Sequence, residues 1–373
     1  MSVNRAIGIM TSGGDCAGLN AVVRAVACAA HEMYGWKVYG ILDGTSGLIT
    51  RPLQYIELGG GAMDASCLRS GGTFLGTTSK GDPLQFPMPD GSYRDFSPEF
   101  AEGARMLGLD AVVVVGGDGS MRITSELCRR AGLGMVGIPK TIDNDVHGTD
   151  YAVGFATAVD VATEALDRLH STAASHHRAM ILEVMGRDAG YIAMTAGIAG
   201  GADIILVPEL PYTLEEVSRK IRAVLDTGRS HVVIVVAEGV RREDGQSAII
   251  TYSGGEKRYG GIGHYLADRI AGMAGIETRP IVLGHLQRGG IPSARDRLIA
   301  SAFGTAAVDL VAEGAWGRMV AWKNGTVTSV PLEDVTTGAR LLAADDVLVC
   351  TAKALGIYTG GSAPLLKVSS AAL

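Results

Sequence analysis

The strongest constraint on this chain comes from short β-branched stretches that are apolar through their middles: AVVVV at 111–115, AMILEV at 179–184, DIILV at 203–207 and HVVIVV at 231–236. A strand with one wet face alternates apolar and polar side chains. Stretches that do not alternate belong in a sheet covered on both faces, which parallel strands joined by crossover helices provide. The segments between them have helical periodicity, as in NAVVRAVACAAHEMY, MRITSELCRRAG and the long ATAVDVATEALDRLHSTAASH at 156–176. Strand and helix alternate along the chain, so the expected fold is a doubly wound α/β architecture. Near the end, GRMVAWKNGTVTSVPL reads as an antiparallel hairpin closed by a type I′ turn at Asn324-Gly325.

Composition narrows the function by exclusion. With 373 residues, 47% of them hydrophobic, the chain can bury one large core or two moderate ones. The formal net charge of −6 gives no bulk attraction to nucleic acid or to an anionic membrane, so an anionic ligand must be held by a local cluster. Five cysteines without CxxC spacing argue against a disulfide framework or a zinc site, and for a reducing cytoplasm. No apolar run approaches the roughly 18 residues that a spanning helix needs, and the start MSVNRAIGIM lacks a signal-peptide core.

In open α/β sheets ligands bind beyond the carboxyl ends of the strands. Three glycine-rich turns fall at such places: TSGGDCAGLN (11–20), LRSGGTFLGTTSKGDP (68–83) and GGDGSM (116–121). Gly13 and Gly14 let the backbone approach a ligand, and the amides of the helix start that follows attract anions. Together the turns suit a phosphate chain, yet neither GxxxxGK[ST] nor GxGxxG is present, so ordinary P-loop and dinucleotide readings lack their defining residues. Asp118 stands where magnesium takes one carboxylate beside phosphate oxygens and water. Its alternative role is to cap the helix that follows.

The stretch GIPKTIDNDV (137–146) concentrates charge in an otherwise apolar region. In an extended segment Thr141, Asp143 and Asp145 point to one side, and a carboxylate there can accept the proton of a hydroxyl that attacks phosphorus. The plainer reading of TIDND alone is an Asx-turn with capping aspartates. Its surroundings favour chemistry: Arg178, Arg187, Arg279 and Arg288 stand at strand ends, and arginine forks match phosphate geometry. His176 and His177, being adjacent, point apart and read as structural.

TSGGD, GGTFLG, GGDGS, PKTIDND, MGRDAG, VPE and LGHLQRGG, in that order over nearly the whole chain, resemble the phosphofructokinase family, which phosphorylates the 1-hydroxyl of fructose 6-phosphate. The resemblance implies two doubly wound Rossmann-like lobes with mostly parallel sheets and the active site in the cleft between them. Residues 1–154 plus about 287–337 would form the lobe for the donor and magnesium, and residues 155–286 plus about 338–373 the sugar-phosphate lobe. Asp143 would be the base, with Thr141 beside it on the transferring group, Asp145 near the metal and Arg187 steadying transition-state charge. Met185 and Gly186 would shape the sugar pocket and Glu238 accept sugar hydroxyls. Arg178, Arg279, His285 and Arg288 would hold the 6-phosphate, Arg178 and Arg279 reaching in from a neighbouring subunit as in family members. A homodimer or homotetramer with a shared sugar-phosphate site is therefore implied.

On the donor side Gly14, Gly117, Asp118, Gly119 and Ser120 would line the phosphates, with Mg2+ on Asp118 and Lys80 standing in for a donor-side arginine. Pyrophosphate-using relatives typically carry aspartate where this chain has Gly119, and that carboxylate would repel a nucleotide's α-phosphate. Lys140 serves either donor, so ATP is the expected donor and pyrophosphate the alternative. Of the arginines in the familiar bacterial effector site only Arg24 stands here, with Cys28 and His170 at arginine positions, so control by ADP or phosphoenolpyruvate is not expected. Two rival readings are an NAD or diacylglycerol kinase, which shares GGDG, and a sugar-phosphate-binding subunit without chemistry. The arginine set disfavours the first, and intact Asp118, Asp143 and Arg187 the second.

Overall fold

The apolar runs are buried strands, Ala111–Gly116, Ala179–Val184, Ile204–Leu206 and Val232–Ala237, with every residue buried. The computed structural model describes residues 5–59, 63–78, 81–251 and 257–361. The chain divides into two units, one of Met1–Ile142, Val146–Thr157 and Arg288–Ala339, the other of Asp143–Asp145, Ala158–Gln287 and Arg340–Leu373.

The first unit holds a sheet in the order Thr326–Pro331, Arg318–Lys323, Gly134–Thr141, Ala111–Gly116, Ala6–Thr11, Lys37–Ile41, Tyr55–Glu57, with Val153–Gly154 beside Gly134–Thr141. Its interior strands pair in parallel and its two outermost pairings are antiparallel. One of these edges is the expected hairpin, where Asn324 (φ 51°) and Gly325 (φ 80°) both take the left-handed backbone that a type I′ turn requires. Met10, Phe100, Val112, Val114, Met121 and Leu127 fill the core. Helices Leu19–Tyr34 and Ala294–Glu313 pack along one another, closely enough that a Cβ on Gly304 would lie 2.5 Å from that of Ala25. Asp296, fully buried, accepts hydrogen bonds from the Gly154 and Thr157 amides and the Thr157 hydroxyl, which anchors the start of helix Phe155–His176.

The second unit has a wholly parallel sheet, Ile204–Leu206, Val232–Ala237, Ala179–Val184, Thr278–Val282. The charges inside its apolar runs have specific work. Glu183, 1% exposed, accepts the amides of Gly261 (2.9 Å) and Gly263 (2.8 Å) and so caps helix Ile262–Ala274 from within the sheet. Asp203 takes a two-pronged bond from Arg229 (2.5 and 3.1 Å) and the Val233 amide (3.0 Å), tying the entries of two neighbouring strands. No helix among the described residues is long and apolar enough to cross a membrane.

Candidate active site

The three glycine turns meet in the first unit. Ser12 donates its amide to Val115 (3.0 Å), Gly13 donates to Thr78 (3.0 Å), and the Thr77 hydroxyl donates to the Gly13 carbonyl (2.6 Å), so the loops after strands Ala6–Thr11 and Ala111–Gly116 are stitched to residues 77–78. Gly13 has φ 84°, open to glycine at no steric cost. Helix Asp118–Ala131 starts there with Gly117 as its N-cap and no side-chain capping bond. Asp118 therefore does not cap the helix, and its half-buried carboxylate stands in the first turn, where the helix dipole favours negative charge. The described residues hold no group of three or more His, Cys, Asp or Glu side chains able to bind a metal. A lone carboxylate still fits magnesium that keeps its water and phosphate ligands. A Cβ on Gly119 would meet nothing within 4 Å, so the space that aspartate fills in pyrophosphate users is open.

Two cations hold the first glycine loop. Lys140, only 4% exposed near the end of strand Gly134–Thr141, donates from Nζ to the Gly14 carbonyl. Arg288 donates to the Asp15 carbonyl (3.1 Å), and a Cβ on Gly14 would come within 2.9 Å of its guanidinium. A side chain at Gly14 would thus displace the Arg288 guanidinium from the loop. Beside the loop, burial pushes the Cys16 thiol up to about 12, despite the opposing pull of Lys140. Lys80 lies outside the described residues.

The acid turn departs from the extended reading. The strand ends at Thr141; Ile142 and Asp143 form a bend, and Asn144 takes φ 53°. A left-handed residue between Asp143 and Asp145 breaks the period-two alternation, so the three side chains do not share a strand face. The cause is local: Asn adopts this conformation more readily than most side chains, and the turn is fixed from outside. Arg340 donates its amide to the Asp145 carbonyl (2.6 Å) and its guanidinium to the Asn144 carbonyl (2.8 Å). Asp143 is 5% exposed and Asp145 half-buried.

The MGRDAG turn lies in the second unit with Asp143 and has a constrained backbone. Gly186 has φ 141°, and a Cβ there would lie 2.5 Å from the Ala189 carbonyl oxygen. Arg187 itself sits at φ 51°, a conformation that costs a non-glycine residue about 1–3 kcal/mol and is held only where the surroundings fix it. Here they do. Met185 donates its amide to the fully buried Gln287 (2.8 Å), Arg187 donates to Glu238 (3.2 Å), and a Cβ on Gly239 would stand 1.9 Å from the Arg187 carbonyl oxygen. Gly190 donates to Glu209 (2.9 Å), whose carboxyl burial raises above the usual range, against the bonds from Leu342 and Gly190. Tyr259 donates its hydroxyl to Asp188 (2.8 Å), which raises the phenol above its ordinary value.

The four phosphate candidates do not gather in one place. Arg178 pairs with Glu277 (2.8 Å) and Arg279 closes on the same carboxylate, which their bonds and charge hold below the usual carboxylate range. Both arginines stand at the amino ends of the paired strands Ala179–Val184 and Thr278–Val282, whereas Met185, Arg187 and His285 follow the carboxyl ends. Six strand residues span about 20 Å, so one chain does not bring these two groups together. His285 instead meets Arg258 (3.1 Å), and Arg288 belongs with the glycine loop. Sequence reading missed Gln287, Glu209 and Arg340, whose hydrogen bonds hold the backbone of these turns. The first two lie inside the LGHLQRGG and VPE stretches, which offered a signal, while Arg340 lies in no recognisable motif.

The chain is similar to known proteins. The family model described as Phosphofructokinase matches residues 6–311. The chain is 54% identical over 361 residues to ATP-dependent 6-phosphofructokinase 1 of a Nostoc species, covering 96% of this chain and 100% of that one. Identity is also 54% over 354 residues to the Synechocystis protein of the same name, with 95% and 98% covered. Among solved structures, Pichia pastoris phosphofructokinase in the T-state superposes with a TM-score of 0.77 at 31% identity, covering 90% of this chain and 36% of that longer one. The Saccharomyces cerevisiae phosphofructokinase structure gives 0.75 at 30%, and this chain spans 45% of its length. A pyrophosphate-dependent phosphofructokinase from Nitrosospira multiformis shares the fold at 0.78 with 21% identity.

Proposed function

The chain belongs to the phosphofructokinase family, and on that premise we propose that it moves the γ-phosphoryl group of ATP to the 1-hydroxyl of fructose 6-phosphate. The products are fructose 1,6-bisphosphate and ADP, which makes the protein an ATP-dependent glycolytic kinase of the cytoplasm. In the proposed reaction the sugar oxygen forms its bond to phosphorus as the bond from phosphorus to the ADP oxygen breaks. The hydroxyl proton passes to the Asp143 carboxylate, poised in a bend that excludes most water. Arg187 neutralises charge that spreads over the transferring group, and Thr141 positions it. Met185, Gly186 and Glu238 form the sugar subsite, Glu238 already orienting the Arg187 backbone.

On the donor side Gly14, Gly117, Gly119 and Ser120 would lie along the phosphates. Mg2+, which Asp118 would hold, would neutralise the charge of the β- and γ-phosphates. The observation that carries the choice of ATP is the open surface above Gly119. Lys140, whose ammonium donates to the Gly14 carbonyl, permits either donor. A coupled assay offering fructose 6-phosphate with either ATP or pyrophosphate tests the reading: turnover with ATP is expected, and turnover with pyrophosphate alone would reverse it.

The placement of Arg178 and Arg279 supports a shared site. Separated by a strand length from Met185 and His285 of their own chain, they would serve the 6-phosphate of a neighbouring subunit in a homodimer or homotetramer. His285 and Arg288 would be the contributions of the subunit that holds the sugar.

A further inference from the structure

Residues 340–342 belong to no motif, yet they join two parts of the second unit that the proposed chemistry needs in register. On one side Arg340 grips the acid turn, its amide on the Asp145 carbonyl and its guanidinium on the Asn144 carbonyl. On the other side the same guanidinium rests over the Tyr191 ring, 4.8 Å from its centroid, and the Tyr191 hydroxyl donates to the Leu341 carbonyl (3.2 Å). Tyr191 opens helix Tyr191–Ala199 directly after the turn that carries Arg187. Glu209 closes the arrangement, one carboxyl oxygen accepting the amides of both Gly190 (2.9 Å) and Leu342 (3.0 Å).

We propose that Arg340 is a positioning residue for phosphoryl transfer: it fixes the backbone on which Asp143 stands relative to the turn that presents Arg187. The inference rests on the reading of Asp143 as base. A planar guanidinium suits the task, because it can donate in its plane to a carbonyl while its face covers an aromatic ring, which an ammonium does less well. The left-handed Asn144 presents its carbonyl to this fork.

The test is a double-mutant cycle with fructose 6-phosphate and ATP, measuring kcat and KM for wild type, Arg340→Met, Asp143→Ser and the pair. Arg340→Met is expected to lower kcat about 100-fold, the scale of a misplacement of about 1 Å, with little change in the sugar KM. In the Asp143→Ser background the same change should cost little more, because its effect acts through Asp143. Arg340→Lys should recover part of the loss. It also serves in both backgrounds where the methionine variant does not fold. Equal fold losses with and without Asp143 would mark a general structural role and overturn the inference, as would unchanged kcat in Arg340→Met. An inactive wild-type chain would overturn the phosphofructokinase reading and this inference together, whereas an active wild type with an indifferent Arg340 overturns the inference alone.

Discussion

Gly239→Ala is the smallest change that tests whether the Arg187 turn must be held where it is. The added Cβ would stand 1.9 Å from the Arg187 carbonyl oxygen, 2.9 Å from its carbon and 3.1 Å from the Pro208 ring. Backbone and a proline ring cannot fold aside as the end of a long side chain can, so the turn must withdraw by about 1 Å to restore contact distance, the order of misplacement that costs about 100-fold in rate. Glu238, whose carboxyl accepts the Arg187 amide at 3.2 Å, would lose that bond as the turn moves. Overpacking of this kind costs about 1–3 kcal/mol of stability, which leaves a folded protein to assay. Steady-state kinetics with ATP and fructose 6-phosphate should show kcat down about 100-fold, with thermal unfolding at a modestly lower temperature. Gly272→Ala is the control, since its Cβ meets nothing within 4 Å in helix Ile262–Ala274, and it should keep full activity and gain up to about 1 kcal/mol. Wild-type kcat in Gly239→Ala would refute the claim that the Arg187 backbone is held for catalysis.

Gly119→Asp should fold normally, because the added side chain enters open space; it should raise the KM for ATP strongly while leaving the sugar KM unchanged, and unaltered ATP kinetics would remove Gly119 from donor selection. Burial pushes Cys16 and Cys128 up to about 12, so both remain thiols rather than the reactive thiolates at pH 8. Alkylation at pH 8 followed by mass spectrometry should leave both unmodified in the native protein and modify both on unfolding. His231 is pulled below its ordinary value by burial, with the Arg229 charge acting in the same direction. The folded chain then binds fewer protons there than the unfolded chain, so stability should fall as pH drops through about 6.5 and be indifferent to His231 well above it. Urea unfolding of wild type and His231→Gln at pH 5.5 and 8 compares the slopes, and identical pH dependence contradicts the assignment. Co-expressed Asp143→Ser and Arg279→Ala chains, each inactive alone, should regain activity in mixed oligomers if the phosphate clamp is shared, and no recovery would argue for a site within one chain.

Much of this was legible because the signals are local. Parallel strands buried on both faces are uniformly apolar, and an Asn-Gly pair between two strands specifies its turn. The three glycine turns could be placed because loops after strands in such sheets line the ligand side. What stayed hidden depended on distant partners. The asparagine in TIDND permits a left-handed turn but does not require one; Arg340, nearly two hundred residues later, donates to the Asn144 carbonyl and holds it there. Glu183 and Asp203 look like interruptions of apolar runs until the amides of Gly261, Gly263 and Val233 are seen to meet them. The separation of Arg178 and Arg279 from His285 follows from strand pairing and direction, which a motif does not encode.

The central claim concerns one proton and its acceptor. Asp143→Ser keeps a small polar side chain in the bend and removes the base, so kcat should fall by about 100- to 10,000-fold while the affinity for fructose 6-phosphate, measured by equilibrium binding, stays near wild type. Turnover comparable to wild type in that variant would contradict the account.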